Sequence, residues 1–498
     1  MWMNQPLRRA GAVSVAVTMA QLLIVVLLSS FGVFSSNVEF TAEMSIQPLC
    51  WAIVLMFLWS IWSWYLVTRN LFDWYLIFLT AVTVFNGGQA FLEVFHLNRH
   101  GLLDGKFSTD TLMHTLYMVL LGLSSLHLGA LLAAKPASVR RIPLHLLPIS
   151  PESTTSMRLV GMGLLLISVP CVFLLTKEAV EIVLTHGYFG LYQADAVSGW
   201  PLGMTRALAG FLIPGALFLL TISRDSLGIR YFTVGVIVMY AAVYFFLGSR
   251  HEATAILVAA AWIWHRQIRP ISPVLLTSCA LGLVFVVFPL ISITRDRSGS
   301  ERTSMSYLSE QFSNMDSPAV AAIQEMGGTM MTEAHTYELV PSQRGFDMGA
   351  SYGYAALALF PNLFWDIHPT VKSEMPGKWL TWEVDPYFAS QGGGLGYSLI
   401  SEAYLNFGWY GVPIVMLITG FVWGRLVSAV NHNRSPEYAV LIASMANFVL
   451  FYARSESALI LRSLIWYAVL PYFAVLALNS VQRLYRGHVV LTRPSATV

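Results

Sequence analysis

The sequence predicts an all-α polytopic membrane protein with about twelve transmembrane helices and one large loop. Only 11% of its 498 residues are charged, 56% are hydrophobic, and the mean hydropathy is +0.62. A soluble domain carries about 25% charged residues. Here the apolar residues form runs of roughly 17 to 25, the length that crosses a hydrocarbon core as a helix. Because a backbone in lipid must satisfy its own hydrogen bonds, these runs are predicted to be helices.

Twelve apolar runs divide the chain into four segments. The predicted spans are 11–34, 45–68, 71–95, 111–134, 158–176, 201–223, 231–248, 251–265, 272–294, 398–424, 437–453 and 459–478. They place nine transmembrane helices in residues 1–294, a loop at 295–397, three transmembrane helices in 398–480 and a tail at 481–498. The loop is far longer than an ordinary connection, so it is predicted to be functional or to contain a small domain.

The distribution of Lys and Arg predicts the orientation of these helices. With the N-terminus in the cytoplasm, 16 of the 29 Lys and Arg residues fall on the cytoplasmic side. Six of the other 13 lie in the long loop, where the positive-inside rule has little force. Both termini are therefore predicted to be cytoplasmic, and the long loop is predicted to lie on the opposite face.

The loop has local signals of short helices. Asp316-Ser317-Pro318 is typical of a helix start, and the helix is predicted to run toward His335. Residues 354–360 are apolar but too short to span, which favours an interfacial helix ended by Pro361. Residues 366–397 are rich in Trp, Pro and Gly and predict an irregular, aromatic-lined lid.

Several classes of function are disfavoured. A net charge of +2 gives no sign of a nucleic-acid partner, and Cys50, Cys171 and Cys279 all lie in apolar runs, so they predict neither a disulfide framework nor a metal site. Walker, HExxH and Asp-x-Asp motifs are absent from the sequence. No metal and no cofactor are therefore predicted.

Arginine residues lie where a membrane helix would not normally carry them. After the seventh span, Ser249 forms almost the whole turn, and Arg250, His251 and Glu252 follow it. Only about a dozen apolar residues then precede His265. Twelve helical residues cover about 18 Å of a core that is about 30 Å thick. Arg250 is therefore predicted to lie below the outer surface, where a cation needs a wet cavity or an anionic partner.

The same pattern recurs elsewhere on this face. Arg454 and Glu456 form the tip between the last two spans, and Arg462 lies two helical turns beyond Arg454. Arg206 lies a few residues inside the sixth span, and three more arginines follow the ninth, namely Arg295, Arg297 and Arg302. Arginine is always charged and its donor fork matches phosphate oxygens, so the cluster favours a diphosphate ligand. The alternative is that these arginines pair with Glu252, Asp296, Glu301 or Glu456 and lock the loops.

The sequence does not rank the candidates for the general base. Glu402 opens the tenth span, where capping by the helix dipole is an equally good explanation. His251, His335, Glu252 and Glu456 also lie on the predicted outer side. Gly392-Gly393-Gly394 either lets the backbone approach a phosphate or sugar or provides a flexible loop.

Three stretches together resemble the O-antigen polysaccharide polymerase (Wzy) family of bacterial inner membranes. The first is Gly248-Ser249-Arg250, and the third runs from Gly396-Tyr397-Ser398 to Ser401-Glu402-Ala403-Tyr404-Leu405-Asn406-Phe407-Gly408. The second lies in the loop and comprises Gln324-Glu325-Met326-Gly327, Glu338-Leu339-Val340-Pro341, Gly349-Ala350-Ser351-Tyr352 and Phe360-Pro361-Asn362. Their order and spacing agree over most of the chain, and the third stretch is the most specific.

The resemblance implies a GT-C-like glycosyltransferase of the bacterial inner membrane with a periplasmic active face. It implies undecaprenyl-diphosphate-linked oligosaccharide as both donor and acceptor, transfer without a metal, and a chain-length regulator protein as a partner. On this interpretation Arg250, Arg295 and Arg454 neutralise the departing diphosphate. Arg206, Arg297 and Arg462 hold the second diphosphate or the polyprenyl entry.

The remaining roles follow from the same interpretation. Glu402, His251 or His335 accepts the proton of the acceptor hydroxyl, and Tyr352, Trp382 and Tyr404 stack on sugar faces. Interfacial anchoring is an equally good explanation for such aromatic residues. Two other functions stay open, a ligase that moves glycan onto a lipid A core and a transporter of lipid-linked glycans, although transport would favour repeat symmetry and charges spread through the membrane depth.

Overall fold

A computed structural model describes residues 5–35, 40–41, 44–136, 146, 148–188, 190–195, 200–295, 302, 304–315, 317–360, 374–432 and 435–491. Over these residues the regular secondary structure is helical, without strands. Ten helical segments are long and apolar enough to cross a membrane. The prediction of an all-helical polytopic membrane protein is confirmed.

The first part of the chain supplies most of the membrane helices. They are α1 (Gln5–Ser35), α2 (Gln47–Thr68), α3 (Trp74–Val94), α4 (Thr109–Ala133), α5 (Pro151–His186), α6 (Gly190–Asp195), α7 (Trp200–Ala209), α8 (Leu212–Ile222), α9 (Leu227–Leu247), α10 (Arg250–Ile263), α11 (Pro273–Gly282) and α12 (Phe288–Arg295). A π-helical turn, Trp264–Ile268, continues α10, and another, Leu283–Val287, joins α11 to α12.

Among the described residues, six short helices follow in the long loop and four helices come after it. The loop contains α13 (Met305–Ser313), α14 (Pro318–Gly327), α15 (Met330–Leu339), α16 (Ala350–Leu357), α17 (Pro376–Val384) and α18 (Pro386–Ser390). The last helices are α19 (Leu399–His432), α20 (Pro436–Tyr452), α21 (Ser457–Leu464) and α22 (Leu470–Leu491), with a π-helical turn, Ile465–Val469, between the last two.

The helices differ in length from several predicted spans. The fifth was predicted at 158–176, but α5 has 36 residues and is therefore about 54 Å long at 1.5 Å per residue. The sixth is divided between α7 and α8. The predicted spans 251–265 and 437–453 correspond to α10 and α20, which have 14 and 17 residues and are shorter than the ten long segments.

The predicted loop helix from 318 toward His335 is divided into α14 and α15. Ser317 caps its start, because its side chain accepts a hydrogen bond from the Val320 N–H. Gly327 ends α14 where it packs on α3, since a Cβ there would lie 2.8 Å from the Gln89 backbone nitrogen. Asp316 and Pro361 lie outside the described residues.

Helix α19 is interrupted at Gly408, which has φ 60° and ψ −147°. A side chain disfavours this backbone conformation, so glycine is required there. The backbone N–H groups of Asp347 and Met348 bond to the carbonyls of Leu405 and Asn406, at 3.0 Å each. The short helical segment before the break is thereby tied to the loop.

The centre of the bundle is the crossing of α4 and α19, where backbones meet across glycines. A Cβ on Gly420 would lie 1.9 Å from the Leu126 carbonyl oxygen, and one on Gly129 would lie 2.0 Å from that of Leu417. Small residues that permit such approach are typical of membrane helix interfaces. This crossing fixes where the N-terminal end of α19 stands relative to α3 and α4.

Gly420→Ala is expected to lower the stability of the protein, because the contact that its Cβ would make is with backbone. Inserting a methyl group into a packed interior costs about 1–3 kcal/mol. Thermal unfolding in detergent measures the effect. The matched control is Gly235→Ala on α9, where a Cβ meets nothing within 4 Å. Equal melting temperatures for the two variants would contradict the importance of this crossing.

Candidate active site

The predicted outer ends of several helices meet at the tip between α20 and α21. The tip consists of residues 453–456, and we call it the 453–456 hairpin. The Asn86 amide of α3 donates to the Ala453 carbonyl at 2.9 Å, and the Tyr397 N–H donates to the Arg454 carbonyl at 3.4 Å. Gly396, with φ +76°, brings the chain against Arg454. The hairpin is therefore held by α3 and by the segment that precedes α19.

Arg250 and Arg295 share one carboxylate close to this hairpin. Arg250 Nη1 lies 2.9 Å from Glu325 Oε2, and Arg295 Nη1 lies 3.3 Å from Glu325 Oε1. Arg250 also donates to Ser292 Oγ at 2.6 Å, and the Arg295 guanidinium lies 4.0 Å from the centre of the Tyr188 ring. Glu325 belongs to α14 in the loop, so this helix supplies the anion that both arginines contact.

Arg454 is placed differently from this pair. Its guanidinium lies over the Phe85 ring at 5.5 Å and makes no hydrogen bond or ion pair to a residue that the structure describes. Burial lowers its pKa, and so does the positive charge of Arg295, while Tyr188 and Glu325 act in the opposite direction. The side chain is nevertheless accessible, so it lines a cavity rather than a packed core. An accessible cation beside another cation attracts an anion.

The cavity has a volume of about 350 Å³ and lies between the hairpin and α17. Arg454 and Glu456 line one side, Lys378 and Trp382 another, and the glycine run 392–394 closes it. Trp382 is 42% exposed, so part of its side chain is available to a ligand. The cavity thus combines two cations, one carboxyl group and three aromatic side chains, those of Trp382, Tyr397 and Phe451.

Glu456 is the carboxyl group that reaches this cavity. Its Oε2 accepts a hydrogen bond from the Gly377 N–H at 2.7 Å, and Oε1 has no hydrogen-bond partner among the described residues. Burial raises the pKa of Glu456 to about 7, the charge of Glu402 acts in the same direction, and the Gly377 hydrogen bond opposes both. A group with a pKa near the working pH is suited to general base catalysis.

Glu402 is enclosed and does not line the cavity. The side chain is 0% exposed, and its Oε1 accepts hydrogen bonds from Ser351 Oγ at 2.8 Å and Ser457 Oγ at 2.6 Å. Its Oε2 accepts one from the Ser457 N–H at 2.8 Å. The Asn406 amide donates to Ser351 Oγ and so orients that hydroxyl toward Glu402. In this arrangement the carboxylate joins α16, α19 and α21.

The two candidate histidines also lie outside the cavity lining. His251 Nε2 lies 3.0 Å from the Asn447 carbonyl, and its ring packs 4.7 Å from that of Phe451. The His335 ring packs on Phe107 at 4.8 Å. Burial lowers the pKa of His335, and so does the charge of Lys106.

The other predicted arginines that the structure describes do not line the cavity. Arg462 is exposed on α21 and lies over the Trp466 ring at 5.1 Å, and Arg206 is exposed at the end of α7. Tyr467 links these helices by donating to the Ala207 carbonyl at 3.0 Å. Arg302 is buried and donates to the Thr294 carbonyl at 2.7 Å, so it secures helix ends. Arg297 lies outside the described residues.

Trp382 lines the cavity, whereas Tyr352 and Tyr404 do not. Tyr404 is 3% exposed and packs against Trp409, with ring centres 5.5 Å apart. Tyr352 stacks on Phe407 at 6.4 Å. Lys378 and Glu325 were not among the site residues predicted from the sequence. The signal for Glu325 was its place in the loop passage that resembles the family.

Comparison with known proteins agrees with the resemblance in the sequence. The model of the family described as O-antigen polysaccharide polymerase Wzy matches residues 17–483, which is nearly the whole chain. Neither a curated protein nor a solved structure matches it. The match extends over all the membrane helices and the loop that carries Glu325, Lys378 and Trp382. The chain therefore belongs to the O-antigen polysaccharide polymerase (Wzy) family, a family of membrane proteins of polysaccharide biosynthesis.

Proposed function

We propose that this protein polymerises undecaprenyl-diphosphate-linked oligosaccharide repeat units at the periplasmic face of the bacterial inner membrane, without a metal ion. Both termini are cytoplasmic in this proposal, and residues 295–397 form the periplasmic loop. The observation that carries it is the cavity lined by Arg454 and Glu456, with Arg295 near enough to lower the pKa of Arg454 and paired through Glu325 with Arg250. The distribution of Lys and Arg supports the orientation.

The diphosphate of the donor is proposed to bind between Arg454, Arg250 and Arg295. Arginine forms paired hydrogen bonds with phosphate oxygens, and three arginines offset the charge that develops on the leaving diphosphate. In the structure Glu325 forms ion pairs with two of these arginines, Arg250 and Arg295. The donor must therefore compete with this carboxylate for Arg250 and Arg295.

The reaction is a displacement at the anomeric carbon of the donor glycan. The acceptor hydroxyl oxygen forms the new bond to this carbon, and the bond from carbon to diphosphate oxygen breaks. Glu456 takes the hydroxyl proton, and undecaprenyl diphosphate leaves with the bonding electron pair. Trp382 stacks on a sugar face in the same cavity, which is consistent with its exposed ring. A separate protein that regulates chain length is the proposed partner.

The function is tested with purified protein and a synthetic lipid-diphosphate repeat unit, without nucleotide sugar and with EDTA present. A ladder of multiples on a gel is the expected result. A ladder that appears after Mg²⁺ is restored, and not before, would contradict metal independence. An unchanged single band, with substrate binding demonstrated, would favour the ligase or the transporter.

Glu325→Gln is expected to lower the KM for the lipid-linked substrate, because the variant removes the anion that competes for Arg250 and Arg295. The side chain is 37% exposed, so the pair is partly screened and contributes at most about 1 kcal/mol, or about fivefold in KM. Glu310→Gln on α13 is the control, because this substitution of an exposed residue removes the same charge from the loop. A higher KM in Glu325→Gln would show instead that Glu325 holds the arginines in place.

A further inference from the structure

Glu333 is a buried carboxyl group that the proposed reaction does not use. It lies on α15, is 0% exposed, and faces α3 and the start of α19. Its Oε1 lies 2.7 Å from Ser398 Oγ, and its Oε2 is buried without a hydrogen-bond partner among the described residues. An ionised carboxylate without a neighbouring cation is costly in such an environment.

The hydrogen bonds around Ser398 determine where the proton lies. The Asn86 amide nitrogen donates to the carbonyls of Val82 at 2.7 Å and Ala453 at 2.9 Å, so its Oδ1 is the atom that faces Ser398. Ser398 Oγ lies 2.7 Å both from this Oδ1 and from Glu333 Oε1. The Asn86 oxygen has no proton to donate.

A serine hydroxyl has one proton and can donate to only one of these two oxygens. If Ser398 donates to Asn86, the short contact with Glu333 requires a proton on the carboxyl group. If Ser398 donated to Glu333 instead, the contact with Asn86 would bring two acceptors together. The arrangement that satisfies both contacts has Glu333 donating to Ser398 and Ser398 donating to Asn86. Burial, which raises the pKa of Glu333 well above its ordinary value, favours the same state.

This chain of hydrogen bonds ends at the 453–456 hairpin. Asn86 donates to the carbonyl of Ala453, the residue before Arg454. Two loop segments hold the same hairpin, through the bond from Tyr397 N–H to Arg454 and the bond from Gly377 N–H to Glu456. A change at Glu333 is thus transmitted through two side chains to the residues that line the cavity.

We propose that Glu333 is a neutral carboxylic acid that positions the 453–456 hairpin for glycosyl transfer through Ser398 and Asn86. Glu333 is a positioning residue and touches neither substrate nor reacting atoms. The proposal rests on the proposed function, since that function places Arg454 and Glu456 in the site. A small misplacement of reacting groups lowers the rate of the chemical step by up to about 10²-fold.

Three variants test the positioning role. Glu333→Gln preserves the donor to Ser398 and is expected to keep kcat within about twofold, whereas Glu333→Leu is expected to lower kcat by about 10- to 100-fold at similar KM. Ser398→Ala removes the hydroxyl that joins Glu333 to Asn86 and is expected to resemble Glu333→Leu. The Ser398→Ala variant therefore tests the proposal even if Glu333→Leu does not fold. Wild-type kcat in Ser398→Ala, or a Gln variant as slow as the Leu variant, would overturn the proposal.

An infrared measurement tests the proton independently of activity. The difference spectrum between wild type and Glu333→Gln at pH 7 is expected to contain the C=O stretching band of a protonated carboxylic acid. A carboxylate band in its place would show that Glu333 is ionised and would overturn the proposal. Because this readout needs no polymerisation, its failure is distinguishable from failure of the proposed function, which the gel ladder of the wild-type protein reports.

Discussion

Arg454→Ala is expected to lower kcat/KM for polymer formation by about 10²- to 10³-fold, the loss typical of one donor that stabilises transition-state charge. Arg454 is the arginine of the cluster whose guanidinium has no hydrogen bond to a described residue and which lines the cavity. Arg250 and Arg295 already contact Glu325. The free donors of Arg454 are therefore the first that an incoming diphosphate meets.

Stability is expected to change little in this variant, because the removed side chain makes no hydrogen bond that folding requires. Arg454→Lys retains the charge without the donor fork and is expected to show intermediate activity. The control is Arg483→Ala, which removes an exposed arginine from α22, beyond the far end of the last predicted span. Product ladders and initial rates from the purified variants measure the effect. Wild-type rates in Arg454→Ala would show that Arg454 does not bind the diphosphate.

Glu456→Gln is expected to lower kcat by about 10²- to 10⁴-fold, the range for loss of a general base. The amide can still occupy the place of the carboxyl group beside Gly377, but it cannot accept a proton. The matched control is Glu383→Gln, which removes an exposed carboxylate from α17, the helix whose Gly377 contacts Glu456. A normal rate in Glu456→Gln would exclude Glu456 as the base.

The pH dependence gives a second readout of the same role. Burial raises the pKa of Glu456 to about 7, and the base is active only when it is ionised. The rate of the wild-type protein is therefore expected to be constant above this pH and to fall by about tenfold per pH unit below it. In Glu456→Gln the residual rate should lose this acidic limb. An unchanged limb in the variant would assign the titration to another group.

Local sequence features predicted the helices and the hairpins well. Arg250 begins α10 after a turn made by Gly248, which has φ +95°, and the N-cap Ser249, as the short turn between two apolar runs indicated. Apolar runs of sufficient length also predicted the polytopic fold, because the bilayer imposes both length and hydrogen-bonding requirements on each helix. The interruption at Gly408 was not predicted, since its cause is the bonding of residues 347–349 to the end of the short segment.

Sequence patterns could not rank the candidate bases. Glu402 and Glu456 both lie near helix ends on one face, and each is compatible with capping or catalysis. The structure separates them: Ser351 and Ser457, each more than 50 residues away along the chain, enclose Glu402, while Glu456 lines the cavity. The burial of a carboxyl group depends on which distant segments fold over it.

The sequence by itself determined the helical membrane fold, the family and the concentration of arginines near helix ends, because these depend on composition and local order along the chain. Only the tertiary structure decided that Arg250 and Arg295 share Glu325, that Arg454 lines the cavity, and that Glu333 is buried against Ser398. Charge pairing, accessibility and burial depend on distances between segments far apart in the chain, and folding alone brings those segments together.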